Sequence, residues 1–142
     1  MNTFKKIIVF CLLISSLPFI QAQNSNEQLA IQYYQEQAYE KAVELFKDLY
    51  QKRPDAYYYD YYLKTLLILK EFKEAERLVN KQIKIYSLIQ KYKVDLGYVY
   101  QQAGENKKAE KAYENCIYEI NHTSYSIKEL AQAFQSYQLN DY

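Results

Sequence analysis

The sequence contains very few of the residues that interrupt helices. Its 142 residues include two glycines and two prolines, and only Gly97, Gly104 and Pro54 lie beyond residue 22. Turn signals typical of β-hairpins are absent. Apolar residues recur at intervals of three and four, the spacing that places them on one face of an α-helix. The composition therefore predicts an all-α protein.

Histidine and cysteine are also scarce, which limits the chemistry that the side chains can perform. His122 is the only histidine, and Cys11 and Cys116 are the only cysteines. A metal cluster needs several such ligands, and a nucleophile needs a base beside it. We therefore expect no metal, no cofactor and no enzymatic activity. His122 is expected to be a solvated turn residue and Cys116 a buried, unreactive thiol.

The first 22 residues have the organisation of a secretory signal peptide. Two lysines precede an apolar run at residues 7–20, and Ile20 and Ala22 occupy the positions before a signal-peptidase cut. The alternative, a retained membrane anchor, needs about twenty apolar residues, whereas this run is shorter and contains Pro18. We predict cleavage between Ala22 and Gln23 and, from the bacterial character of the segment, a periplasmic location.

Charge gives no indication of nucleic acid or of an anionic membrane surface as a partner. The chain has 18 basic and 17 acidic residues, and cleavage after Ala22 removes two lysines and no acid. The mature chain thus has 16 basic residues (18 − 2) and a net charge of −1 (16 − 17). It keeps one cysteine, so it has no internal disulfide and must be stabilised by packing.

Three stretches of the remaining chain align on an alanine. The alanines are Ala42, Ala75 and Ala109, and their spacings are 33 and 34 residues. Small and large apolar residues recur at matching positions around each alanine. They are Leu29, Ala30, Tyr33, Phe46 and Pro54 in the first stretch, Tyr59, Tyr62, Leu63, Leu66, Phe72 and Val79 in the second, and Leu96, Gly97, Tyr100, Gly104 and Tyr113 in the third.

This period and pattern resemble the tetratricopeptide repeat (TPR), a helix–turn–helix unit of about 34 residues. The resemblance implies antiparallel helix hairpins stacked into an α-solenoid, with about three full repeats and the first helix of a fourth. Leu130, Ala131 and Phe134 repeat the opening pattern in that last helix. The predicted bounds are 23–54, 55–88 and 89–122 for the three units and 123–142 for the incomplete fourth.

The last predicted helix carries apolar residues where the terminal helix of a repeat array usually presents a polar face. Phe134, Tyr137 and Leu139 lie there. We therefore expect further repeats beyond Tyr142.

The resemblance also implies a concave groove in which a partner lies, lined by the first helix of each unit. The Lys and Asn clamp with which known members hold a peptide's terminal carboxylate is not present, and Glu27 and Asp60 would repel that group. A mixed aromatic and amide groove suits an extended peptide or an inserted helix. The residues at the groove positions are Glu27, Ile31, Tyr34, Gln35, Tyr57, Asp60, Lys64, Leu67, Ile68, Val94, Tyr98, Gln101, Gln102 and Tyr125.

Helical geometry divides the tyrosine-rich stretch DAYYYDYYLK, residues 55–64. At 3.6 residues per turn, Tyr59 and Tyr62 face the partner helix of the same unit. Tyr58 and Tyr61 face a neighbouring unit, and Tyr57 faces the groove. The stretch is thus predicted to be mostly structural, with one tyrosine available to a partner.

The leading functional hypothesis is a non-enzymatic scaffold of the bacterial cell envelope that binds a peptide or helix of another protein. One alternative is a carbohydrate or small-ligand module, because tyrosine faces also stack on sugars. Another is the repeat-containing N-terminal part of a longer protein that carries an effector domain. The partner's identity is not encoded in any motif of the sequence.

Overall fold

The computed structural model describes residues 17–120 and 124–139. These residues contain seven α-helices and no strand, so the predicted all-α class is confirmed. None of the described helices is both long and apolar enough to cross a membrane. The helices are α1 (Leu17–Gln35), α2 (Tyr39–Lys52), α3 (Ala56–Ile68), α4 (Phe72–Ile85), α5 (Gln90–Gln102), α6 (Asn106–Tyr118) and α7 (Ser124–Ser136).

The chain divides into two compact units within α3. Unit 1 extends to Thr65 and unit 2 begins at Leu66. Most of the predicted signal peptide lies outside the described residues, as does His122. In the uncut chain α1 runs without a break through the predicted cleavage point between Ala22 and Gln23.

Four turns of the same design give the chain its repeat. One residue in each turn has a left-handed backbone, with φ of 58–77°. The amide of the following residue bonds the carbonyl five residues earlier, at 2.8–3.1 Å. This is the Schellman ending of a helix, and it reverses the chain into the next helix. The left-handed residues are Gln37, Lys70, Gly104 and Gln138.

Unit 1 is built on close contact between α1 and α2. Ala30 and Ala42 are fully buried, and their small side chains permit this approach. Pro54 lies between α2 and α3, as the alignment predicts. The Asp55 carboxylate accepts a hydrogen bond from the Tyr58 amide at 3.0 Å, so Asp55 caps α3 and fixes where the tyrosine-rich helix begins.

Unit 2 is built around α5, which contacts α4, α6 and α7. Gly97 provides the closest approach, because a Cβ there would lie 2.3 Å from Cε1 of Tyr113. The Tyr113 ring meets Phe134 of α7 edge to face, with centroids 5.6 Å apart. The core cluster is Val94, Ala109, Tyr113, Cys116, Leu130, Ala133 and Phe134. The predicted first helix of a fourth pair is therefore packed into the same core.

Candidate partner-binding faces of the first helices

In unit 1, aromatic rings form a continuous cluster beside the predicted groove positions. Tyr61 stacks on Phe46 with centroids 4.9 Å apart, and Tyr34 meets Tyr61 edge to face at 5.3 Å. Tyr57 meets Tyr61 at 5.1 Å. Because edge-to-face and stacked pairs favour fixed ring orientations, Tyr57 is held in place although 43% of it is exposed.

The tyrosine-rich stretch divides as the sequence predicts. Tyr59 and Tyr62 are buried beside Tyr50. Tyr61 reaches Phe46 of α2, and Tyr58 reaches Glu27 of α1. Both therefore join α3 to the preceding helix pair, and Tyr57 is left with an exposed ring.

Glu27 has a structural role that its groove position did not indicate. The Tyr58 hydroxyl donates a hydrogen bond to Glu27 Oε2. Arg53 lies over the Tyr58 ring, 4.6 Å from its centroid, and pairs with Asp55 at 2.7 Å. Burial, and then the bond to Glu27, raises the pKa of Tyr58 to about 12. Glu27 is thus tied to α3, and half-buried.

The other predicted groove positions of unit 1 differ in exposure. Gln35 and Lys64 are exposed, whereas Ile31, Tyr34 and Asp60 are half-buried. Burial raises the pKa of Tyr34 and of Tyr57 above the ordinary tyrosine value. These hydroxyls are therefore neutral near pH 7 and can donate hydrogen bonds.

In unit 2 the predicted groove positions do not share one environment. Val94 is fully buried in the core, so its assignment to a partner-binding surface is wrong. Its side chain is needed inside because α7 packs against α5 there. Ile68 is 43% and Tyr125 78% exposed. Leu67 is half-buried, and Gln102 is exposed.

Tyr98 lies against α7 instead of standing free. Its ring stacks on Tyr137 with centroids 3.9 Å apart. Gln101 is exposed but accepts a hydrogen bond from the Tyr113 hydroxyl at 3.0 Å. Both residues therefore serve packing, and a partner would meet only the parts that these contacts leave open.

A buried ion pair at the start of α5 is absent from the sequence-based expectations. Asp95 is fully buried. Its Oδ2 lies 2.8 Å from Nζ of Lys91, and its Oδ1 accepts a hydrogen bond from the Tyr137 hydroxyl at 2.7 Å. The spacing of four residues between Lys91 and Asp95 is the only signal that the sequence offers. Tyr137 could not be foreseen as a partner, because it lies 42 residues away.

The site chemistry is that of packing and binding. The described residues contain no group of three His, Cys, Asp or Glu side chains that could hold a metal ion. Cys116 is buried as predicted, and burial raises the pKa of its thiol to about 12. The thiol is therefore protonated at neutral pH and is not nucleophilic.

Solved structures with this arrangement of helices are TPR domains. The first TPR of Spaghetti (RPAP3), bound to the HSP90 peptide SRMEEVD, has a TM-score of 0.54 at 17% identity over 83% of this chain and 94% of that one. The second TPR domain of human RPAP3, in complex with the HSP70 peptide SGPTIEEVD, has a TM-score of 0.54 at 17% identity over 80% and 96%. The TPR2B domain of yeast Sti1, in a complex with pHsp70, has a TM-score of 0.54 at 20% identity over 80% and 93%.

These likenesses establish the fold, which is a TPR-like helical repeat. No protein-family model and no curated protein matches this sequence.

Proposed function

We propose that this protein is a non-enzymatic scaffold that binds a peptide or helix of another protein along the exposed faces of its first helices. The observation that carries the proposal is Tyr57, a ring that is 43% exposed yet oriented by Tyr58 and Tyr61. A rigid aromatic side chain offers contact area with little loss of conformational entropy. The TPR domains of similar fold that hold peptides support this reading.

The partner of this chain should differ from the peptides held by those domains. Those peptides contain Glu-Glu-Val-Asp, whereas the first helices here carry Glu27 and Asp60 at the groove positions. Carboxylates on the protein disfavour an acidic peptide. We infer a partner segment that is neutral or basic, and we expect SRMEEVD to bind far more weakly in fluorescence anisotropy than its amidated Gln/Asn analogue.

A photo-crosslinking residue in place of Tyr57 tests the binding face directly. We expect it to capture a discrete partner in cells, and the same residue in place of the exposed Lys107 on α6 to capture none. Tyr57→Ala should weaken binding of the captured partner by about tenfold, the cost of removing one aromatic anchor. Crosslinking that is equal at positions 57 and 107 would reject the proposed face.

We further propose that the protein acts in the bacterial cell envelope after removal of residues 1–22. Supporting this, α1 is 19 residues long in the uncut chain, whereas α3, α5 and α7 are each 13 residues long. Cleavage after Ala22 would leave residues 23–35, which also number 13. Fractionation of cells that produce the full chain tests the location: the cleaved form should be released with the periplasm.

A further inference from the structure

Most of the exposed large apolar side chains in the described chain lie at one end of unit 2. Of ten such side chains, three lie at the connection between α4 and α5, and four at the end of α6 and the start of α7. Leu88, Tyr118 and Tyr125 are 87%, 89% and 78% exposed. These seven residues, called here the apolar edge, are Ile85, Tyr86, Leu88, Ile117, Tyr118, Tyr125 and Ile127.

The two connections are neighbours in space. Lys93 in the first turns of α5 pairs with Glu119, which follows α6, at 2.7 Å. The end of α6 therefore lies beside the start of α5. The Tyr86 ring lies 5.9 Å from that of Tyr92, also near the start of α5. The apolar edge is thus one surface at the N-terminal end of α5.

The opposite end of α5 has a different composition. The exposed residues there are Gln101, Gln102, Gly104 and Glu105, and Gln138 follows α7. Connections in this fold are therefore not apolar as a rule. The exposed apolar area at one end needs an explanation of its own, since such patches mark interaction surfaces in monomeric proteins.

Two ammonium groups without a described ion-pair partner accompany the apolar edge. Lys84, in the last turn of α4, and Lys128, near the start of α7, are exposed and pair with none of the described carboxylates. The nearby Lys91 and Lys93 are neutralised by Asp95 and Glu119. The edge therefore combines apolar tips with uncompensated positive charge.

We propose that the apolar edge docks on an anionic lipid bilayer surface. Its tips protrude separately, so a protein partner would need several matching hollows, whereas a headgroup layer accepts isolated tips. Tyrosines favour the membrane interface, and lysines there meet lipid phosphates. Because no described helix can span a membrane, the contact is peripheral. The proposal is independent of the peptide-binding function, which uses other residues.

The absence of tryptophan from the chain allows a site-specific test. Leu88→Trp places one indole on the apolar edge, and Gln102→Trp places one at the other end of α5. With full-length protein and vesicles of equimolar phosphatidylcholine and phosphatidylglycerol, only the Leu88→Trp emission should shift to the blue. Brominated acyl chains should quench it as well. Equal behaviour of the two variants, shifted or unshifted, would overturn the proposal.

Sedimentation with the same vesicles tests the contributions of the side chains. Leu88→Ser should weaken vesicle binding by about tenfold, the effect expected for one large apolar side chain. Lys84→Gln with Lys128→Gln should weaken binding only when phosphatidylglycerol is present. Gln102→Ser is the matched control and should change nothing.

Residues 1–22, if retained, are common to all variants, so differences between variants belong to the edge. Circular dichroism verifies folding, and Leu88→Ser is expected to fold because its side chain is exposed. Unchanged vesicle binding by folded Leu88→Ser overturns the proposal. Loss of a protein partner by that variant, without loss of vesicle binding, instead assigns the edge to a protein.

Discussion

At residue 97, α5 has no room for a side chain. A Cβ there would lie 2.3 Å from Cε1 and 2.6 Å from Cδ1 of the Tyr113 ring. The ring is buried, meets Phe134, and its hydroxyl is bonded to Gln101, so it cannot turn away freely. We expect Gly97→Ala to lower the free energy of unfolding by about 1–3 kcal/mol, as overpacking does. Urea denaturation measures the loss.

Removing the ring supplies the control for this prediction. In a Tyr113→Ala background the added Cβ has space, and alanine favours the helix. Gly97→Ala should therefore be neutral or slightly stabilising there, which gives a positive coupling energy in the double-mutant cycle. Equal costs in both backgrounds would show that the Gly97–Tyr113 contact is not the cause.

Two tyrosine hydroxyls predict how stability depends on alkaline pH. Burial, followed by a bond to a glutamate, raises the pKa of Tyr58 and of Tyr100 to about 12. The unfolded chain has the ordinary pKa of about 10. The folded state therefore binds more protons between about pH 10 and 12, so the free energy of unfolding falls as pH rises through that interval.

Variants without these hydroxyls isolate the effect. Tyr58→Phe with Tyr100→Phe should lose about 1 kcal/mol per hydrogen bond at pH 7 and show a shallower fall between pH 10 and 12. Chemical denaturation at each pH gives both quantities. Tyr125→Phe is the control, because its side chain is exposed. A slope unchanged by the double substitution would contradict the assignment.

At the scale of the element, the left-handed residue in each turn is a point of strain. Lys70 has φ of 60°, which costs a residue with a Cβ about 1–2 kcal/mol. Glycine avoids this but loses more chain entropy on folding. We expect Lys70→Gly to stabilise the protein by about 0.5–1 kcal/mol in thermal unfolding. Lys64→Gly, inside α3, should instead destabilise it by about 1 kcal/mol.

The buried pair at the start of α5 holds the end of α7. Asp95 receives both the Lys91 ammonium and the Tyr137 hydroxyl, so Asp95→Ala leaves two polar groups without their acceptor. We expect a loss of about 3 kcal/mol, with faster hydrogen exchange of amides in α7. Glu119→Ala breaks the more exposed pair with Lys93 and should cost less than about 1 kcal/mol.

At the scale of the whole molecule, the sequence predicted what depends on short-range periodicity. The alanine register located the repeats, and helical geometry sorted Tyr57 from Tyr59 and Tyr62. Contacts between distant positions were out of reach. Val94 occupies a groove position in the pattern but is buried by α7, and Asp95 meets Tyr137 only after the chain has passed through α6. The apolar edge escaped the sequence for the same reason, because two connections had to be brought together.

The repeat register makes a final prediction about the N-terminus. The first helices α3, α5 and α7 begin at Ala56, Gln90 and Ser124, so the register of 33 and 34 residues places the equivalent start at Gln23. Signal-peptidase cleavage before Gln23 would therefore trim α1 to the length that its turn and partner helix use. We expect intact-mass analysis of exported protein to find residues 23–142. Ala22→Tyr should block the cut, because the peptidase requires a small residue there, and the full chain should then stay with the membrane fraction. Ala30→Ser lies within the mature chain and should leave the cut in place. Export that leaves the chain uncut, or a cut inside residues 25–35, would contradict the assignment, because either result breaks the register shared with α3, α5 and α7.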